Sequence, residues 1–240
     1  MLRVNAAVNR TARNIMFNSF VAIVSLFING FGIHLTMRAN IGASPWDVFN
    51  LGLSNTFGIL YGTASISVSM AILMIDILLK EPIGIAMFID AIVVGKSVDF
   101  FNFIDIIPTP TNIAGSVLMM IIGLFIMGYT QLFYMRSSLG CGPRDSLLIG
   151  LKKRLTKLPI GVVSIAILST ATLIGHLLGG PVGVGTIICA LCAGPIMQLA
   201  FNSLKFDATK VSHQNLKESF KIIISDMKNC RGKCICNIRS

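Results

Sequence analysis

Two stretches of the chain carry the same pattern of chemistry-bearing residues. Met37-Arg38-Ala39-Asn40-Ile41-Gly42-Ala43-Ser44-Pro45-Trp46-Asp47 aligns with Met135-Arg136-Ser137-Ser138-Leu139-Gly140-Cys141-Gly142-Pro143-Arg144-Asp145. Within the shared R-x-x-x-G-x-x-P-x-D, Pro45 and Pro143 mark places where a helix can begin, because proline's missing N–H is an orphan in the first turn anyway. Ser44 with Asp47 has the spacing of a capping box, and Gly142 with Asp145 is a weaker version. Gly42 and Gly140 permit a sharp turn ahead of each helix. A helix N-terminus carries positive potential, which the Asp in its first turn partly neutralises. Arg38 and Arg136 stand within reach of a carboxylate or of a bound anion. Two readings stay open. In one, each motif is a capped turn held by an Arg–Asp pair. In the other, Arg38, Asp47, Arg136 and Asp145 frame a path for a substrate or ion, with an Asp coupling binding to protonation.

A second group of candidates lies in the apolar stretch 84–101, which holds Asp90, Lys96 and Asp99. A charge at the centre of a membrane helix costs about 2.5–3.5 kcal/mol, so such residues are candidates for function. Lys96 and Asp99 are three residues apart and can pair on one helical face, whereas Asp90 needs a partner on another helix. The alternative is structural, with Lys96 and Asp99 reaching the interface and Asp90 bonding to nearby backbone. Asp76, close to Lys80, is expected at the interface. His34 and His176 lack ligand-spaced partners and read as polar packing residues, so no metal or other cofactor is expected. No Ser/His/Asp order or HExxH motif is present, and enzymatic activity is not expected.

The elements that must position these residues follow from composition. The 240 residues are 54% hydrophobic and only 12% charged, against about 25% charged in soluble domains. That excludes a soluble enzyme, a disordered tail and a disulfide scaffold, and predicts an integral membrane protein. Six stretches, 13–37, 60–79, 84–101, 111–135, 159–178 and 183–203, are long and apolar enough to cross a bilayer as helices. Segments near 44–56 and 143–155 are too short and polar to cross and read as half-helices or interfacial helices.

The motif alignment extends through Gly52/Gly150 and Leu53/Leu151, then Gly62/Gly161, Ser65/Ser164, Ile66/Ile165, Pro82/Pro181, Gly84/Gly183, Ala91/Ala190 and Gly95/Gly194. On this alignment Asp90, Lys96 and Asp99 face Cys189, Pro195 and Gln198, so the charges belong to one unit. The expected fold is therefore an all-α polytopic membrane protein of about six transmembrane helices. It comprises membrane repeat 1 (13–110) and repeat 2 (111–204), each with three spans and one short helix. An odd number of crossings per unit inverts the second repeat, an arrangement that recurs in transporters with sites where discontinuous helices meet.

Twenty Lys and Arg against ten Asp and Glu give a formal net charge of +10. With six crossings the basic residues of the N-terminal segment 1–12, of the 136–157 stretch and of the tail 205–240 fall on one side. Both termini are then expected in the cytoplasm, with the first span uncleaved. Topogenic charge explains the basic excess without nucleic acid. In the tail, Leu216, Phe220, Ile223, Ile224 and Met227 recur at helical spacing among lysines, as in an amphipathic helix on the anionic inner leaflet; a partner-binding helix is the alternative. Cys230, Cys234 and Cys236 read as reduced thiols.

At Ala39–Asp47, Leu139–Asp145 and Gly179-Gly180-Pro181-Val182-Gly183 the chain resembles the YczE/YyaS/YitT group of bacterial integral membrane proteins, and within it the YczE-like branch. The resemblance spans roughly residues 13–204 and implies a location in the bacterial cytoplasmic membrane. It implies no catalytic residue. The expected function is that of a small-solute transporter or exporter with its site at the repeat interface, lined by Asp90 as well as the motif residues. The alternative is a membrane accessory or regulatory protein acting through a protein partner, with a channel as a third option; a homo-oligomer is open in each case.

Overall fold

Lipid offers no partner to a free N–H or C=O, so apolar runs of this length satisfy their backbone internally as helices. The computed structural model describes residues 12–81, 83–137 and 142–204, which form eight α-helices and no strand. In chain order they are α1 (Ala12–Arg38), α2 (Pro45–Phe57), α3 (Tyr61–Leu78), α4 (Ile85–Ile104), α5 (Ile113–Arg136), α6 (Pro143–Arg154), α7 (Ile160–Leu177) and α8 (Val184–Ser203). Five of them, α1, α3, α5, α7 and α8, are long and apolar enough to cross a membrane. The 20-residue α4 is long enough, but Asp90, Lys96 and Asp99 take it out of that apolar class. The basic tail, with its expected amphipathic helix and cysteines, lies outside the described residues, as does Gly140.

The short helices start at the motif prolines. Ser44 and Gly142 are extended N-cap residues, and Pro45 and Pro143 open α2 and α6. The expected capping box does not close at α2. Instead the Ser44 hydroxyl donates to Asp47 Oδ2 at 2.6 Å, a bond strengthened by the carboxylate's charge. Gly42 has φ +113°, where a side chain is strained, and a Cβ there would lie 2.7 Å from the Gly183 nitrogen. This close approach lets the Gly185 N–H donate to the Ile41 carbonyl at 2.7 Å. The turn before α2 is thereby stapled to the head of α8.

Each short helix packs on the other half of the chain. α2 lies against α7, with Gly52 directly on the Gly175 backbone, and α6 lies against α3, where Leu147 meets Val68 and Ile72. Gly32 and Gly123 bring α1 and α5 together at the centre, beside a bond from Asn29 Nδ2 to Thr130 Oγ1 of 2.9 Å. Exchanging α1–α4 for α5–α8 maps the α1·α4 packing onto α5·α8, α2·α7 onto α3·α6, α2·α3 onto α6·α7, and α2·α8 onto α4·α6. The extensive α3·α4 packing has no comparable α7·α8 counterpart.

Large apolar side chains such as Phe20, Leu173, Leu177 and Leu191 remain exposed around the bundle, which costs nothing where the surrounding solvent is acyl chain. Asp76, expected at the interface near Lys80, is covered by protein at the end of α3. It is fully buried within the protein. The α3·α6 packing covers this end of α3, placing Ser146 beside Asp76. The expected Lys96–Asp99 pair is not formed. Lys96 is exposed, and Asp99 turns toward α3, where its Oδ1 accepts from the Gly62 N–H at 2.7 Å. An orphan donor at a helix N-terminus is a better-placed partner for a half-buried carboxylate than a flexible lysine three residues back.

Candidate functional site

The N-termini of α2 and α6 open onto one cavity of about 610 Å³, within the size range of small-molecule sites. Its lining brings together Asp47 from α2, Asp90 from α4, Gln131 from α5 and both Arg144 and Asp145 from α6. Ser44, Pro45 and Gly142 form part of its wall. A second, shallower depression of about 580 Å³ beside the 108–112 loop holds no titratable side chain.

Asp47 is held from two sides. Besides Ser44, the Tyr61 hydroxyl donates to Asp47 Oδ1 at 2.7 Å, and Asn50 Nδ2 donates in turn to the Tyr61 oxygen at 3.3 Å. Asp47 is only 1% exposed, so this network fixes its carboxylate. Asp145 is held more loosely, with Gln131 Nε2 donating to its Oδ2 at 3.4 Å. Asp90 reaches the first turn of α6 because residue 142 has no side chain: a Cβ on Gly142 would lie 3.0 Å from Asp90 Oδ2 and 3.9 Å from Asp145 Oδ2. Two carboxylates therefore flank the start of α6, whose positive end favours negative charge there.

The Arg144 guanidinium carbon lies 5.1 Å from the centre of the Trp46 ring, a cation–π stack. Trp46 and Arg144 occupy the same position in the two copies of the motif, so the copies meet through this pair. The alignment already placed the two residues opposite one another. What the alignment does not supply is that the N-termini of both short helices line one cavity, so that Arg144, one of the basic residues of the 136–157 stretch, faces inward. Arg136, Lys152, Lys153, Arg154 and Lys157 keep that segment strongly basic without it.

The remaining candidates lie elsewhere. Arg38 pairs with Asp105 in the α4–α5 connection rather than with Asp47. Arg136 is exposed at the end of α5, outside the cavity lining, and Gly42 and Pro143 sit behind the wall. Lys96 and Asp99 lie outside the cavity as well. Among the described residues no group of His, Cys, Asp and Glu is arranged to hold a metal ion. Cys189, buried, also reaches the cavity.

Apolar helices long enough to span, with two short helices that begin at a cavity between them, mark a helical membrane protein. The chain belongs to the family of unknown function DUF6198, whose pattern matches residues 16–202. It is 31% identical over 177 residues to the uncharacterized membrane protein YczE of Bacillus subtilis (strain 168), covering 73% of this chain and 81% of that protein. An uncharacterized protein of Haemophilus influenzae is 29% identical over 182 residues, 76% of this chain and 82% of its own. The uncharacterized protein YyaS of Bacillus subtilis is 25% identical over 179 residues, 73% and 88% of the two chains. No solved structure matches this chain.

Proposed function

We propose that this protein is a multi-pass small-solute transporter of the bacterial cytoplasmic membrane, built from two inverted halves with its binding site in the cavity between them. The observation that carries this reading is the convergence of two equivalent short-helix N-termini on one largely apolar cavity into which Asp47, Asp90, Arg144 and Asp145 project. Helices of 13 and 12 residues reach only about 18–20 Å, well short of the ~30 Å hydrocarbon core. Discontinuous helices meeting at the repeat interface are the usual site of secondary transporters.

The packing pattern supports two equivalent halves, and α4 serves as the sixth crossing. Its charges are accommodated: Asp90 at the cavity, Asp99 on the N-terminus of α3, and Lys96 exposed with a stem long enough to snorkel. Three crossings per half invert the second half relative to the first and return both termini to the cytoplasm. The name of the Bacillus relative as a membrane protein agrees with this location. Asp47, Asp90 and Asp145 outnumber the single guanidinium of Arg144, which is engaged with Trp46, so the lining favours a solute carrying a cationic or hydrogen-bond-donating group. The protein acts as a carrier and not as an enzyme, and needs no cofactor.

Trp46 is the only tryptophan in the chain, so its fluorescence reports on the cavity directly. Purified protein is to be titrated with a panel of small amines, organic cations and amino acids across pH, following Trp46 emission and thermal stability. A ligand at 100 times its Kd stabilises the folded state by about 2.7 kcal/mol. The expected result is a saturable emission change with stabilisation, lost in Asp90→Asn or Asp145→Asn. Hits that persist unchanged in both variants would place binding outside this cavity. Silence across the panel would turn the reading toward an accessory protein, and deletion of residues 205–240 would then test for action through a partner.

A further inference from the structure

The two halves are equivalent in sequence and packing but not in how tightly each closes upon itself. In the first half, α3 and α4 are sealed. A Cβ on Gly62 would run into the Gly95 carbonyl and the Asp99 carboxylate, and one on Gly95 would lie 2.8 Å from the Gly62 carbonyl and 3.1 Å from Ile66. Asp99 latches this contact through its bond to the Gly62 N–H, while its other oxygen is buried without a partner.

Three of the sealing residues recur in the second half, where Gly62, Ile66 and Gly95 become Gly161, Ile165 and Gly194, while the latching Asp99 is replaced by Gln198. There they are unused. A Cβ on Gly161 or on Gly194 would meet nothing within 4 Å, and both glycines border the cavity instead. Ile165, which would pack into that seam, is 66% exposed. The cavity thus opens between α7 and α8, at the place where its other side is shut by α3 and α4.

We infer that α7 and α8 are the open gate of the cavity and α3 and α4 its closed gate, the two exchanging by closure of Gly161 on Gly194 and release of Gly62 from Gly95. This rests on the transporter reading and specifies how its site is reached from each side in turn. Three features make the exchange physically reasonable. The glycine–glycine surfaces need no repacking of side chains to close. Gln198 can accept from the head of α7 as Asp99 does from α3, though more weakly because its amide is neutral. Pro195, next to Gly194 inside α8, removes one backbone hydrogen bond and so lets that helix bend where the seam must form.

The test is intramolecular crosslinking of full-length Ile165→Cys/Ala190→Cys protein in lipid vesicles, by copper-phenanthroline oxidation and by a short bis-maleimide; these two positions flank the glycine seam across α7 and α8 and border the cavity. Each single-cysteine variant serves as a control for the six native cysteines. Both glycines stay in place and neither substitution enlarges a side chain beyond a thiol, so the variants are expected to fold and the seam remains free to close. Asn29→Cys/Thr130→Cys, spanning a contact already formed, sets the reference rate. The expected result is a crosslink within one chain that accumulates about 10- to 1000-fold more slowly than the reference, as for a closed form populated at about 0.1–10%. Hydrogen exchange over residues 61–66 should rise once it forms, because the Gly62 N–H loses Asp99. Absence of the crosslink while the reference pair reacts, or crosslinks solely between two chains, would overturn the inference. No solute is needed, so the gate can fail while solute-dependent Trp46 emission still upholds the transporter.

Discussion

At the residue scale, the same aspartate of a repeated motif takes two different roles. Asp47 is clamped by Ser44 and Tyr61, whereas Asp145 has a single long bond from Gln131. The clamp makes a stability prediction. Tyr61→Phe leaves Asp47 Oδ1 buried without its donor, which should cost about 1–3 kcal/mol, read as a lower thermal midpoint in detergent. Asp47→Asn placed on top of Tyr61→Phe should cost less than the two substitutions taken separately, because the orphaned carboxylate is then gone. Arg144→Gln should change the emission of Trp46 without lowering the yield of folded protein, since a cation–π contact of this kind contributes only about 0.5–2 kcal/mol. An unchanged spectrum would mean that the stack is absent in the membrane. Of these residues, the acids and the motif glycines were legible as candidates from their spacing. Tyr61, Asn50 and Gln131 were not, because a lone polar residue inside an apolar run carries no sign of what it faces.

At the element scale, contacts made by glycine separate helices that are locked from helices that are free. Gly52 of α2 abuts the Gly175 backbone, whereas Gly161 of α7 borders open space. Gly52→Ala should therefore push α2 off α7 at a cost of about 1–3 kcal/mol. Gly161→Ala should be neutral or slightly stabilising, by up to ~1 kcal/mol from helix propensity. Thermal midpoints of the two variants, measured side by side, check the pair; equal effects would contradict the observed packing. The positions and lengths of the long helices were readable in the sequence, since bilayer thickness dictates them. The start of each short helix was readable too, because proline and an extended N-cap residue act locally. The Ser44 capping bond was not, since the hydroxyl could turn to either the backbone or the carboxylate, and only the fixed position of Asp47 decided between them.

At the scale of the whole molecule, parity of crossings is the property that matters most. If α4 crosses, six spans return the C-terminus to the side of the N-terminus; if it lies aside, five spans separate them. Cys230, Cys234 and Cys236 provide the probe. In intact cells a membrane-impermeant maleimide should leave the tail unlabelled, and permeabilisation should expose it. Labelling before permeabilisation would remove α4 from the count of crossings and the inversion with it. The interlock of the halves, α2 on α7 and α6 on α3, also makes either half incomplete alone, because each half-helix finds its apolar contacts in the other half.

The sequence alone determined the membrane class, the helical spans, the internal repeat and the family, because each depends on local hydropathy or on residue order along the chain. It also marked the acids of the eventual cavity. Only the tertiary structure decided that Trp46 and Arg144 meet, that Arg38 turns to Asp105, that Asp76 is buried, and that one glycine seam is shut while its copy stands open. Those outcomes depend on which of two chemically equivalent surfaces find each other across the fold. The two seams share their glycines and isoleucine and differ at Asp99 and Gln198, and the order of those residues does not by itself say which of them is closed.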